Sequence, residues 1–166
     1  MWMSSKEIAL IESYLDMNFC AIEYGAGSST SWFSSKVKKV GSIEHNRIWF
    51  DSVAATNMTN SNVAIIYVKP EYDWGEHCMR DGNEEEFRSY IKSPSQFGFV
   101  PDFVLIDGRA RIECCKFVAE NYKNVIIAFH DYYGRHNDVI HNYSRVLDYV
   151  TIVDSVDTLA IMKSIV

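Results

Sequence analysis

Asp107, His130 and Asp131 are the side chains in this sequence best suited to moving a proton, and each stands where an apolar run stops. Phe103 to Ile106 ends in Asp107-Gly108, and Val125 to Phe129 ends in His130-Asp131. Imidazole titrates near neutral pH, so His130 is the first choice for a general base, with Asp131 or Asp107 able to orient it. Plainer roles fit the same residues: a histidine satisfied at a strand end, and an aspartate capping a helix that starts near Arg109. Other runs end in groups suited to holding a ligand. Cys20 to Tyr24 stops at Gly25-Ala26-Gly27, followed by Ser28, Ser29 and Thr30. The glycines permit a sharp turn and close approach of a ligand, and the hydroxyls are helix caps whose neighbouring N–H groups face the same spot. Val37 to Ile43 stops at Glu44-His45, roughly 20 residues past the glycines, where an acid commonly binds ribose hydroxyls. A solvated carboxylate ahead of the next helix is the alternative for Glu44. Beyond Val63 to Val68 come Asp73 and Trp74, able to meet a purine through its exocyclic amine and its face.

Cations complete the set. Arg109 and Arg111 stand in a helix's first turn, where positive charge opposes the dipole by about a few tenths of a kcal/mol. Binding a substrate oxygen or acidic group, or pairing with a carboxylate, explains them better than capping does. Tyr132, Tyr133 and Arg135 are candidates for lining an acceptor pocket, tyrosine serving equally as core filler. His136 and His141 lack an HExxH spacing and read as surface residues. No Gly-x-Ser-x-Gly elbow is visible, which disfavours a hydrolase. Thr30 stands where a dinucleotide fingerprint has its third glycine, the one that lets a helix pack beneath a pyrophosphate; a ligand without a pyrophosphate is favoured.

The elements that must position these groups alternate along the chain. A capping box of Ser4 and Glu7 opens a helix whose Ile8, Ile11 and Leu15 share a face. The runs named above read as strands, each followed by a helix: through Trp32 and Phe33, then Asn46 to Asn57, Glu84 to Lys92, Arg109 to Asn121 and Asn137 to Leu147. Tyr149 to Val153 and Thr158 to Met162 then form a hairpin. Parallel strands joined by helices, closed by an antiparallel pair, predict an α/β three-layer sandwich. In such sheets ligands sit beyond the carboxyl ends of the strands, where all the candidate residues fall.

With 166 residues the chain suits a single domain over 1–166, and 48% hydrophobic against 23% charged residues suits a folded, soluble protein. A net charge of -6 disfavours nucleic acid as a partner. Cys20, Cys78, Cys114 and Cys115 lack metal-binding spacing and read as reduced core thiols, which fits a cytoplasmic location. No segment has the unbroken apolar length of a membrane span.

The order Glu-x-Gly-x-Gly-Ser-Ser-Thr, an acid closing the second strand, Ile-Asp-Gly closing the fourth and a final hairpin resembles the class I S-adenosylmethionine-dependent methyltransferases over essentially the whole chain. That resemblance implies a Rossmann-like seven-stranded sheet of order 3-2-1-4-5-7-6 with S-adenosylmethionine as cofactor. It implies that Gly25, Gly27, Ser28, Ser29 and Thr30 approach the methionine part, Glu23 helps hold its amino group, Glu44 and His45 border the ribose, and Asp73 or Trp74 the adenine, Asp107 also facing the cofactor. Val-Leu-Ile-Asp-Gly-Arg-Ala-Arg and Phe-His-Asp-Tyr are similar to the small sugar O-methyltransferases, including magnesium-dependent enzymes of antibiotic-sugar pathways and short enzymes of viral glycan synthesis. In the magnesium-dependent group an Asp at the position of Asp107 and an Asp-Asp pair hold the ion. His130-Asp131 replaces that pair here, a donor set that suits Mn²⁺ or Fe²⁺ at least as well as Mg²⁺. The expected activity is O-methylation of a small hydroxylated acceptor, a sugar or glycan end, in a homodimer. N-methylation of an amine or protein side chain, and a cofactor- or nucleotide-binding module without catalysis, are the alternatives.

Overall fold

A computed structural model describes residues 3–72, 80–135 and 141–166. Seven strands form one sheet: β1 (Cys20–Tyr24), β2 (Lys39–Glu44), β3 (Val63–Tyr67), β4 (Phe103–Ile106), β5 (Ile126–Phe129), β6 (Val150–Val156) and β7 (Leu159–Ser164). Their order is β3-β2-β1-β4-β5-β7-β6, with β1 to β5 parallel and β7 antiparallel to both β5 and β6. This is the order that the methyltransferase resemblance implies, and the strand ends converge as expected.

Among the described residues, the helices that cover the faces are α1 (Ser5–Ser13), α2 (Ser28–Ser34), α3 (Arg47–Thr56), α4 (Glu84–Lys92) and α5 (Arg111–Asn121), with a single turn at Tyr132–Arg135. Alternation along each strand divides the core between them. In β4, Phe103 and Leu105 join Ile11 of α1 and Phe33 of α2 on one side. Val104 and Ile106 join Phe87 and Tyr90 of α4 and Cys114, Cys115 and Val118 of α5 on the other. Both faces of a central parallel strand are thus buried, so β4 reads as an unbroken apolar run. Cys20, Cys114 and Cys115 are free thiols, the last two fully buried. No described helix is long and apolar enough to cross a membrane.

Two helices differ from the sequence pattern. The one expected from Arg109 begins at Arg111, because Ala110 takes a left-handed conformation with φ 49°. The one expected over 137–147 is, in its described part, a 3-10 turn at Tyr143–Asp148 preceded by left-handed Asn142. Its buried residues, Tyr143 and Val146, are three apart, which is the 3-10 period. Residues 137–140 lie outside the described residues.

Candidate active site

The carboxyl ends of the parallel strands border a cleft of about 980 Å³. At its β1 end, the two glycines do different work. Gly25 has φ +93°, and a Cβ on it would stand 2.8 Å from Cα and N of Gly108 at the end of β4. Backbone packing against backbone therefore requires that glycine. Gly27 is extended, and a Cβ there would meet no atom nearer than Ser29 Oγ at 3.7 Å, so its missing side chain leaves cleft space open.

Beneath this turn lies a buried polar layer. Glu23, fully buried, accepts the Ser29 hydroxyl at 2.5 Å, while Thr30 Oγ1 accepts the Gly27 N–H at 3.1 Å and touches Ser42 Oγ at 3.3 Å. Burial pushes the Glu23 carboxyl up to about 7, against the hydrogen-bonding hydroxyls of Ser29, Thr30 and Ser42. Its Oε2 has no hydrogen-bond partner among the described residues. Neither Glu23 nor Thr30 lines the cleft; both support the turn that does. Gly25, Gly27, Ser28 and Ser29 line it.

Glu44, closing β2, directs Oε1 to the backbone N–H groups of His45 at 2.9 Å and Asn46 at 2.7 Å. Both bonds end on Oε1, which leaves Oε2 for a ligand. Asn46 caps α3, and the Trp49 indole N–H donates to the Ala26 carbonyl, locking α3 to the glycine turn. His45 packs edge-on to Phe87 and Tyr90, its Nδ1 buried near Glu44 without a hydrogen bond. Arg47, Ile48, Tyr67, Lys69 and Tyr72 continue the wall. Asp73 and Trp74, expected at the adenine, lie outside the described residues.

At the other end Asp107 and Asp131, both partly exposed, flank His130, which is 6% exposed. His130 Nδ1 is 2.9 Å from Asp107 Oδ1 and 3.9 Å from Asp131 Oδ1. Burial alone would lower the pKa of His130, but the hydrogen bond and charge of Asp107, with Asp131, outweigh both burial and nearby Arg111 and raise it. Asp131 holds a left-handed φ of 58°, which turns its side chain back beside the ring.

Arg111 lines the cleft, and of the roles its position suggested the structure shows the pairing with carboxylates. Buried at 7% exposure, it donates from Nε to the Gly108 carbonyl (2.9 Å), from Nη1 to the His130 carbonyl (2.6 Å) and from Nη2 to the Asp107 carbonyl (3.2 Å), with both acids at 3.3 Å. A guanidinium in this fork clamps the ends of β4 and β5 together. Asp107 caps no helix. That role belongs to Asp81, whose carbonyl accepts the Ala110 N–H at 2.7 Å and whose buried carboxylate accepts the Arg111 N–H at 2.8 Å and the Tyr143 hydroxyl at 3.3 Å.

Arg109 and Arg135 do line the cleft, Arg135 lying 3.6 Å from Asp131. Tyr132 and Tyr133 do not: Tyr132 is 2% exposed and packs on Phe129, with Tyr133 against it. His141 is 9% exposed and stacks edge-on to Tyr143, so it is a core histidine, not a surface one. His136 lies outside the described residues. Sequence reading missed Asp81 and assigned Glu7 only to a capping box, although its Oε2 reaches within 3.7 Å of His130 Nε2.

One ligand atom from each of Asp107, His130 and Asp131 falls within 4.8 Å of the others, a spacing that a divalent ion can span. The charge arrangement fits such an ion poorly. Arg111 already brings its cation to 3.3 Å from both carboxylates, and His130 Nδ1 is engaged with Asp107. A second cation would face the first at close range.

No protein-family profile and no curated protein matches the sequence. Solved structures do match. A methyltransferase-like protein from Silicibacter pomeroyi is 22% identical, with 99% of this chain and 87% of that one covered at a TM-score of 0.76. A methyltransferase candidate from Streptococcus mutans in complex with SAH is 16% identical, covering 98% and 100% at 0.63. The N-methyltransferase NodS from Bradyrhizobium japonicum is 12% identical, covering 96% and 93% at 0.61. The likeness is one of fold: the sheet here is the Rossmann-like methyltransferase sheet.

Proposed function

We propose that this chain is an S-adenosylmethionine-dependent methyltransferase acting on a hydroxyl of a small acceptor, a sugar or the end of a glycan. The observation that carries the reading is the division of one cleft into a neutral turn with a ribose-competent acid and an Asp-His-Asp group able to take up a proton. The residues fit the cofactor: Gly27 leaves its side-chain space empty, Glu44 keeps Oε2 free, and about 980 Å³ accommodates a nucleoside ligand together with a small acceptor. The SAH bound by a neighbour of the same fold supports the choice.

When bound, the cofactor supplies a methyl group already activated on a sulfonium. What remains for the protein is to orient the acceptor and remove its proton. A sugar hydroxyl is a very weak acid, so its transfer needs a positioned base. His130, held by Asp107 and raised in pKa, is that base; Arg111 fixes the two strand ends so that the ring and both carboxylates keep their separation. Arg109 and Arg135 stand ready for acceptor oxygens. Arg111 supplies the local positive charge, so no step is assigned to a metal ion.

Calorimetry with S-adenosylhomocysteine and with NAD tests the cofactor, and a screen of free sugars and glycosides, read by mass for an added CH₂, tests the reaction. Binding of S-adenosylhomocysteine alone is expected, weakened sharply by Glu44→Ala. NAD binding in its place, or an affinity untouched by Glu44→Ala, would refute the assignment.

A further inference from the structure

The imidazole of His130 lies between carboxylates on opposite sides. Nδ1 is spent on Asp107 at 2.9 Å, so Nε2 is the nitrogen left to accept a proton. The group beside Nε2 is Glu7 of α1, with Oε2 at 3.7 Å. Glu7 is 3% exposed and is held from two other directions: Oε1 accepts the N–H and hydroxyl of Thr158 at 3.0 and 2.7 Å, and Oε2 accepts the Ser4 N–H at 2.8 Å. Thr158 sits in the turn between β6 and β7, so the first helix and the last hairpin both aim this carboxylate. Met3, one residue before Ser4, lines the cleft, which puts the start of α1 in its wall beside the ring.

The charge balance gives Glu7 a purpose. Asp107 and Asp131 both have Arg111 as a partner, and Asp131 has Arg135 as well. Among the described residues Glu7 has no Lys or Arg within ion-pair distance; His130 is the cation it can meet. Burial raises the Glu7 carboxyl, but the bonds from Thr158 and Ser4 and the nearness of His130 outweigh it and keep it ionised. A buried anion that waits for a proton on the facing nitrogen favours the protonated ring.

We propose that Glu7 is a positioning residue for His130, and that Nε2 takes the acceptor proton, giving an imidazolium held by Asp107 on one nitrogen and Glu7 on the other. This rests on the methyltransferase reading. The acceptor O–H bond breaks, its proton passes to Nε2, and its electron pair stays on the oxygen that receives the methyl group. The groups facing the ring are Asp107 and Asp131 from the strand ends, Arg111 from α5 and Glu7 from α1.

The test is the NMR titration of the His130 ring in the full chain, with no cofactor or acceptor added. Glu7→Gln should lower the midpoint by about one pH unit, and should cut kcat about tenfold or more with S-adenosylhomocysteine affinity unchanged. Thr158→Val breaks a bond to the same carboxylate but leaves its charge in place, and should lower the melting temperature without moving the midpoint. If Glu7→Gln fails to fold, Glu7→Asp, which withdraws the charge from Nε2, should lower the midpoint part of the way. An unchanged midpoint in either Glu7 variant overturns the proposal. The titration is independent of turnover: a shifted midpoint in a protein that methylates nothing refutes the function alone, and an unshifted one in an active enzyme refutes the role of Glu7 alone.

Discussion

Replacing Glu23 with Gln should change how stability depends on pH, by an amount that its surroundings fix. The carboxyl is fully buried beneath the glycine turn, with one oxygen on Ser29 and the other without a partner among the described residues. Burial carries it from its ordinary 4.5 to about 7 in the folded chain. Below pH 4.5 both states hold the proton. Between there and about 7 the unfolded chain releases it while the folded chain keeps it, so stability falls as pH rises and the whole contribution is gone above the folded value. At about 1.4 kcal/mol per pH unit the loss is about 3 kcal/mol. Gln keeps the shape and the acceptor for Ser29 but has nothing to titrate. Urea denaturation of both proteins across this range gives the difference, in which His130, Glu7 and the remaining groups cancel. The stability of Glu23→Gln relative to the natural chain should climb by about 3 kcal/mol from pH 4.5 to 8. Parallel curves would show that Glu23 is ionised in the fold, and the account of the buried layer would fail.

The two glycines of the turn should separate in experiment. Gly27→Ala should fold with stability within about 1 kcal/mol of the original and lose at least about tenfold in S-adenosylhomocysteine affinity by calorimetry, whereas Gly25→Ala should lower stability by several kcal/mol, about 1–2 from its positive φ and the rest from the clash with Gly108. Equal effects of the two on binding and melting would refute the division. Because His130 must be neutral to accept a proton and its pKa is raised by Asp107, the rate of methyl transfer should rise with pH through a midpoint above 6.5, and Asp107→Asn should move that midpoint down. A flat profile would place the base elsewhere. Chelator titration should leave activity unchanged, and loss restored by Mg²⁺ or Mn²⁺ would mean that the ion displaces Arg111 from the two carboxylates.

Much of this arrangement is legible in the sequence. β1, β4 and α4 have the bounds that their apolar runs and caps predict, since each boundary is set by residues within a turn of it. Helix-linked parallel strands and a closing hairpin are readable from the pattern; the strand order itself comes only with the family resemblance, and it carries Glu44, Asp107 and His130 to one edge. What escapes is what joins distant segments. Glu7 is fully explained by Ser4 until α1 is laid against the end of β5. That Arg111 pairs with a carboxylate is one of its readings, but its hold on the carbonyls at the ends of β4 and β5 is not, since it depends on left-handed Ala110 delaying the helix. Asp81 belongs to a loop whose only local signal is its length. Gly41 marks no turn at all: a Cβ there would lie 2.7 Å from the Phe97 ring, a contact made across two segments. Local spacing carries helices and strands; a side chain's direction in a crossover depends on one or two backbone angles that composition does not disclose.

The contact between Gly25 and Gly108 also constrains how such a protein can diverge. A Cβ on Gly108 would come within 2.1 Å of the Tyr90 hydroxyl and 3.0 Å of the Gly25 nitrogen, and one on Gly25 would strike main chain. No rotamer change can relieve the collision of a Gly25 Cβ with main chain, whereas the closest contact at Gly108 is a side-chain hydroxyl that Tyr90→Phe would remove. The Gly25 turn and the Asp107 turn are consequently held at a fixed separation, while Ile48, Lys69, Tyr72 and Arg135 around the rim are free to vary. Selection in a randomised library should rewrite the rim and return glycine at position 25, and should tolerate alanine at position 108 only together with a smaller residue at position 90.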